Sequence, residues 1–123
     1  MIVYSPRYRI DLGLHVFPTE KYRLVYERLL AGGLDPSSIV EPAPAGWDEL
    51  ALVHTAGYLE KMREGTLSPE DVAQLELPWS QAMVDGFRVM TGGTILAARL
   101  AVETQRSQST QRTFHSCLRG IHG

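Results

Sequence analysis

The segment from Ser80 to Glu103 constrains the fold most, because its apolar and small residues recur at helical spacing along its whole length. One face carries Met83, Phe87, Met90, Thr94, Ala97 and Ala101. Gly92-Gly93 interrupts this predicted helix, although each glycine costs up to ~1 kcal/mol relative to alanine in a helix interior. The glycine pair, followed by Ala97-Ala98, predicts that another backbone packs very close to the helix. Close packing is favoured here over a functional explanation.

Shorter elements are predicted before this helix. Ile2-Val3-Tyr4 is a β-prone run that stops at Ser5-Pro6, and Ile39-Val40 forms a second candidate strand. A helix is predicted to begin at Thr19, whose hydroxyl can cap the first turn, and to end at Gly32-Gly33.

Two further helix starts follow in the middle of the chain. Thr55 can cap a short helix that ends at Gly65. Ser68 precedes proline and two acidic residues, which is a strong pattern for a capped helix start.

The composition excludes several classes of protein. A chain of 123 residues with 44% apolar and 21% charged residues fits one globular domain. The net charge of −2 gives no reason to expect a nucleic-acid partner, and no apolar stretch approaches the roughly 20 residues of a membrane helix. With Cys117 as the only cysteine, no intrachain disulfide can form, and a soluble cytoplasmic protein is the default expectation.

The character of the sequence changes after Val102. Residues 104–113, TQRSQSTQRT, contain no aliphatic or aromatic residue and have no helical period. Such a segment buries too little apolar surface to offset its ordering entropy. We therefore expect one domain over residues 1–103 and a disordered or aberrant tail over residues 104–123.

The four histidines offer little metal chemistry by themselves. His115 and His122 lie in the predicted tail without an aspartate at ligand spacing, so a bound metal is not expected there. For His54 a structural hydrogen bond is favoured.

Three stretches, in this order, resemble the N-terminal part of the histone deacetylase superfamily, which includes bacterial acetoin-utilisation and acetylpolyamine deacetylases. They are VYSPRYRIDLGLHVFPTEKYRLVYERLL, PAPAGWDELALVHTAGYLEKM and LPWSQAMVDGFRVMTGGTILAARLAVE. The resemblance covers residues 1–103. It implies an α/β fold: the N-terminal part of a three-layer αβα arginase-like or deacetylase-like domain, mostly helical in this chain.

The resemblance also implies an activity, namely zinc-dependent hydrolysis of the amide bond in acetyl-lysine or another acetylated amine. In the family, an Asp-His-Asp set binds zinc, a His-His pair acts on the attacking water, and a tyrosine polarises the acetyl carbonyl. Zinc supplies this chemistry by acidifying its bound water and polarising the carbonyl. The zinc-ligand motif and the tyrosine normally follow well downstream of the stretches matched here.

Only a few site residues carry over to this chain. The resemblance places His15, Phe17 and Lys21 at the lining of the substrate pocket or an internal channel. For His15, it leaves a structural and a functional role equally open. Val16 stands where many members have proline, and Lys21 where many have arginine, so the charge is kept without the bidentate fork. Where a Gly-Gly-x-His-His motif is expected, Thr113-Phe114-His115-Ser116 has one histidine and no glycine. Neither catalytic residues nor zinc ligands are therefore predicted in this chain.

Three hypotheses follow. In the first, the chain is a truncated deacetylase-family protein that is inactive alone. In the second, it is a non-catalytic binding module that pairs with another chain, or with itself, through apolar surface. In the third and weakest, it is a small helical protein whose likeness to the family is accidental.

Overall fold

The computed structural model describes residues 1–13 and 18–119, with side chains described as far as residue 105. Two short strands, β1 (Ile2–Val3) and β2 (Ile39–Val40), pair in parallel, with Ile2 opposite Ile39. The Tyr4 amide extends the ladder by donating to the Val40 carbonyl at 3.0 Å. Both predicted strands are thus confirmed as a two-stranded parallel sheet.

Helix α1 (Glu20–Ala31) connects the two strands. Its end agrees with the prediction, since Gly32 follows the last helical residue and Gly33 takes the left-handed conformation with φ of 97°. The predicted cap at its start is wrong, because the Thr19 side chain makes no capping hydrogen bond. That hydroxyl instead bonds the preceding loop.

Three short helices follow: α2 (Trp47–Leu50), α3 (Ala56–Glu64) and α4 (Pro69–Leu75). Thr55 caps α3 by accepting a hydrogen bond from the Tyr58 amide at 3.3 Å, as predicted. Ser68 and Asp71 form a reciprocal capping box at the start of α4. Local sequence therefore sets these helix starts.

The last helix, α5 (Gln81–Arg119), is 39 residues long. It begins next to Ser80, whose hydroxyl accepts a hydrogen bond from the Met83 amide at 3.0 Å. The helix continues past Glu103, so the helix end predicted there is wrong. Straight-chain residues such as Gln and Arg have good intrinsic helix propensity. A segment that contains them can therefore be helical although it has no apolar residues. The division into a domain over residues 1–103 and a disordered or aberrant tail over residues 104–123 stays a prediction.

The buried face of α5 differs from the predicted one. Met83 is fully buried as expected, but Thr94, Ala97 and Ala101 are exposed. The buried positions are instead Met83, Val84, Gly86, Val89, Gly92 and Gly93. The apolar pattern therefore identified the helix correctly but misplaced its inner face beyond Met90.

The N-terminal half of α5 packs directly against neighbouring backbone and loops. A β-carbon at Gly92 would overlap the Ala43 carbonyl oxygen and lie 3.0 Å from the Ala45 nitrogen. A β-carbon at Gly93 would overlap the Tyr8 hydroxyl. These contacts confirm the close approach predicted from the glycine pair.

The small core lies where α5 meets the N-terminal loop. Ile10, Leu12, Met83 and Val84 form its buried cluster. Half-buried side chains from the other helices surround this cluster, among them Trp47, Met62, Leu75, Trp79 and Phe87. The fold of the described residues is thus mostly helical around a two-stranded parallel sheet, compatible with part of a deacetylase domain.

Candidate functional site

A buried threonine fixes the loop that precedes α1. The Thr19 hydroxyl donates to the Ile10 carbonyl at 2.8 Å and accepts from the Ile10 amide at 3.0 Å. Thr19 and Ile10 are 5% and 7% exposed. Ile10 also packs against Gly86 of α5, where a β-carbon would overlap its side chain. Both ends of the loop, before residue 14 and after residue 17, are therefore anchored to the core.

An open cleft of about 670 Å³ lies between these two anchored ends. Its walls come from residues 9–13 and 18–20. Arg9 and Glu20 form an ion pair at 3.0 Å across it, and the Gly13 amide donates to the Asp11 carboxylate at 2.9 Å. The cleft is thus polar and solvent-facing.

The structure describes only one of the three predicted pocket residues. His15 and Phe17 lie outside the described residues. Lys21 lies in the first turn of α1, exposed, with its ammonium group 5.2 Å from the centre of the Tyr22 ring. The structure therefore fixes the position of Lys21 only, and the pocket role of all three residues stays a prediction.

Lys21 borders an apolar groove of about 380 Å³ between β1 and α1. Four tyrosines form one wall. The Tyr4 and Tyr26 rings stack at 4.2 Å between centres and 9° between planes. The Tyr8 ring meets those of Tyr4 and Tyr22 edge to face, at 5.8 and 5.7 Å. Both arrangements are favourable geometries for aromatic pairs.

Burial raises the pKa of the Tyr4 phenol above its ordinary value of 10.0, and neighbouring Tyr26 adds to the increase. Burial likewise raises the pKa of Tyr8, with a further contribution from Tyr22. These phenols are therefore neutral at physiological pH. The groove therefore combines apolar walls with tyrosine hydroxyl groups and the ammonium group of Lys21.

The tyrosine cluster was not predicted from the sequence. Tyr22 and Tyr26 share one face of α1 by their spacing of four, and that much could be inferred. Their contact with Tyr4 and Tyr8 depends on how the 3-10 turn at Pro6–Tyr8 folds against α1 and α5. No local pattern specifies that arrangement.

The remaining histidines do not assemble a site in the described part of the chain. The exposed His54 ring lies 5.4 Å from the Tyr58 ring, and no imidazole hydrogen bond joins it to another described residue. The structural hydrogen bond predicted for His54 is thus replaced by a ring contact. The side chain of His115 and all of His122 lie outside what the structure describes.

The described residues do not fit a metal centre. Among them, no three His, Cys, Asp or Glu side chains come together in a way that could hold a metal ion.

No helix within residues 1–13 and 18–119 is long and apolar enough to cross a membrane.

Comparisons with known proteins identify the family. Residues 15–122 match the model of the histone deacetylase domain, a match that includes most of the predicted tail. An uncharacterized protein of Picosynechococcus sp. is 34% identical over 121 residues, covering 97% of this chain and 40% of that protein. Histone deacetylase 2 of Arabidopsis thaliana is 31% identical over 127 residues, covering 94% of this chain and 33% of that protein.

The chain thus spans only 40% and 33% of the lengths of these two relatives. The family match nevertheless extends over most of its residues. This protein belongs to the histone deacetylase superfamily.

Proposed function

We propose that this chain forms the opening part of a zinc-dependent deacetylase domain with a three-layer αβα, arginase-like architecture. The family match over residues 15–122 carries the proposal. The β1-α1-β2 unit supports it, because parallel sheets occur almost only where both faces are covered and further strands join them. Two strands of two residues each are too small to be a complete sheet.

In such a domain the substrate is an acetylated amine, with acetyl-lysine as the representative case. The contribution of this chain is the loop at residues 14–17 and the first turn of α1, which line the pocket or a channel leading from it. The Thr19 anchor supports this role, because it holds the backbone on both sides of the loop in place. Lys21, two residues after that anchor, provides a fixed positive charge at the rim.

The isolated chain does not, in this proposal, hydrolyse the substrate. The zinc ligands and the groups that act on water belong to the part of the domain that this chain does not span. The lengths of the two relatives support this, since the chain covers 40% of one and 33% of the other. The described residues also show no fit to a zinc centre, so no catalytic step is assigned to them.

Zinc binding by the purified chain tests this assignment of roles. Equilibrium dialysis against low-micromolar Zn²⁺ is expected to leave substoichiometric metal on the protein after a wash with a weak chelator. Retention of one equivalent of zinc, lost when His115 and His122 are replaced by alanine, would contradict the proposal. A chain with residues 1–103 alone provides the matched control.

A second candidate function is a non-catalytic module that pairs with another chain, or with itself. The observation that favours it is exposed apolar surface on α1, where Leu24 and Val25 are 54% and 57% exposed. Val25 also lines the apolar groove between β1 and α1, and a large exposed apolar patch commonly marks an interface. Light scattering tests the self-pairing form of this candidate, because a well-folded monomer at working concentration argues against self-association.

A further inference from the structure

We draw no further inference here: the strongest candidate, the apolar groove between β1 and α1 that the tyrosine rings and Lys21 border, is an open face of the described residues, and nothing in the structure shows what covers it.

Discussion

Ala45 and Arg88 hydrogen-bond to each other in both directions. The Ala45 amide donates to the Arg88 carbonyl at 2.8 Å, and the Arg88 Nε–H donates back to the Ala45 carbonyl at 3.0 Å. This pair ties the loop after β2 to the N-terminal part of α5. It holds that loop against Gly92, where only a residue without a side chain fits.

Replacement of Gly92 by alanine tests this close approach. The new β-carbon would overlap the Ala43 carbonyl oxygen, so the loop must move and strain the Ala45–Arg88 pair. We expect Gly92→Ala to lower the free energy of unfolding by about 2–3 kcal/mol, as overpacking does elsewhere. Urea denaturation measures the change.

Gly57→Ala is the matched control, because Gly57 lies in α3 and a β-carbon there meets nothing within 4 Å. This variant is expected to stabilise the protein by about 0.5–1 kcal/mol through helix propensity. If both variants shift stability alike, the contact at Gly92 is not as tight as described.

Loss of the Thr19 hydroxyl should loosen the loop before α1. Thr19→Val keeps the shape but leaves the buried Ile10 amide and carbonyl without the hydroxyl that pairs with both. We expect a cost of about 1–3 kcal/mol in unfolding free energy, together with faster amide exchange at Ile10. Thr94→Val, at an exposed site on α5 whose hydroxyl bonds its own helix, should change little. An unchanged exchange rate at Ile10 in Thr19→Val would rule out the anchor.

The capping box at the start of α4 should make the free energy of unfolding depend on pH in the acidic range. Hydrogen bonds from Ser68 hold the pKa of Asp71 below its ordinary value of 3.8, with Lys61 contributing further. The folded state therefore binds the proton less readily than the unfolded chain. This stabilisation is complete above the unfolded pKa and is lost as the pH falls through the folded pKa.

Asp71→Asn should accordingly be less stable than the parent at about pH 6, with the difference shrinking toward about pH 2. Thermal melting across this range measures it. Glu70→Gln removes a charge from the same helical turn while leaving the Ser68 hydrogen bonds intact, and a smaller pH-dependent difference is expected. A constant difference for Asp71→Asn at every pH would contradict the assignment.

Alanine substitutions at two glycines with positive φ can separate the cost of backbone strain from the cost of a steric clash. Gly65 ends α3 with φ of 73°, and a β-carbon there would lie 2.8 Å from the Trp79 ring. Gly33 also has positive φ, but a β-carbon there meets nothing within 4 Å. Gly33→Ala should thus incur the conformational cost of about 1–2 kcal/mol alone. Gly65→Ala is expected to lose at least about 1 kcal/mol more in urea denaturation, because Trp79 must also move. Equal losses would mean that the Trp79 contact adds nothing.

Local chemistry made part of this fold predictable. The caps at Thr55 and Ser68 follow from side chains acting within one helical turn, and both form as predicted. The glycine pair at Gly92-Gly93 predicted a close approach, which the Ala43 carbonyl and the Tyr8 hydroxyl provide.

Non-local contacts account for what the sequence did not predict. Thr19 is a residue type that commonly caps helices, but its hydroxyl instead hydrogen-bonds the buried Ile10 backbone, nine residues earlier in the chain. The inner face of α5 was misplaced beyond Met90, because two small residues there are buried by loops rather than by matching apolar side chains. Arg63 of α3 and Arg88 of α5 both lie against the Trp47 ring, and no pattern in either helix specifies that arrangement.

The family match supports our proposal that this chain is part of a deacetylase domain and does not catalyse by itself. Acetate release from an acetyl-lysine peptide by the purified chain, with Zn²⁺ and then with chelator, tests it most directly, with Arabidopsis Histone deacetylase 2 assayed in parallel. We expect no acetate release above the protein-free background under either condition. Zinc-dependent acetate release that rises in proportion to the concentration of the isolated chain, and that the chelator abolishes, would contradict it.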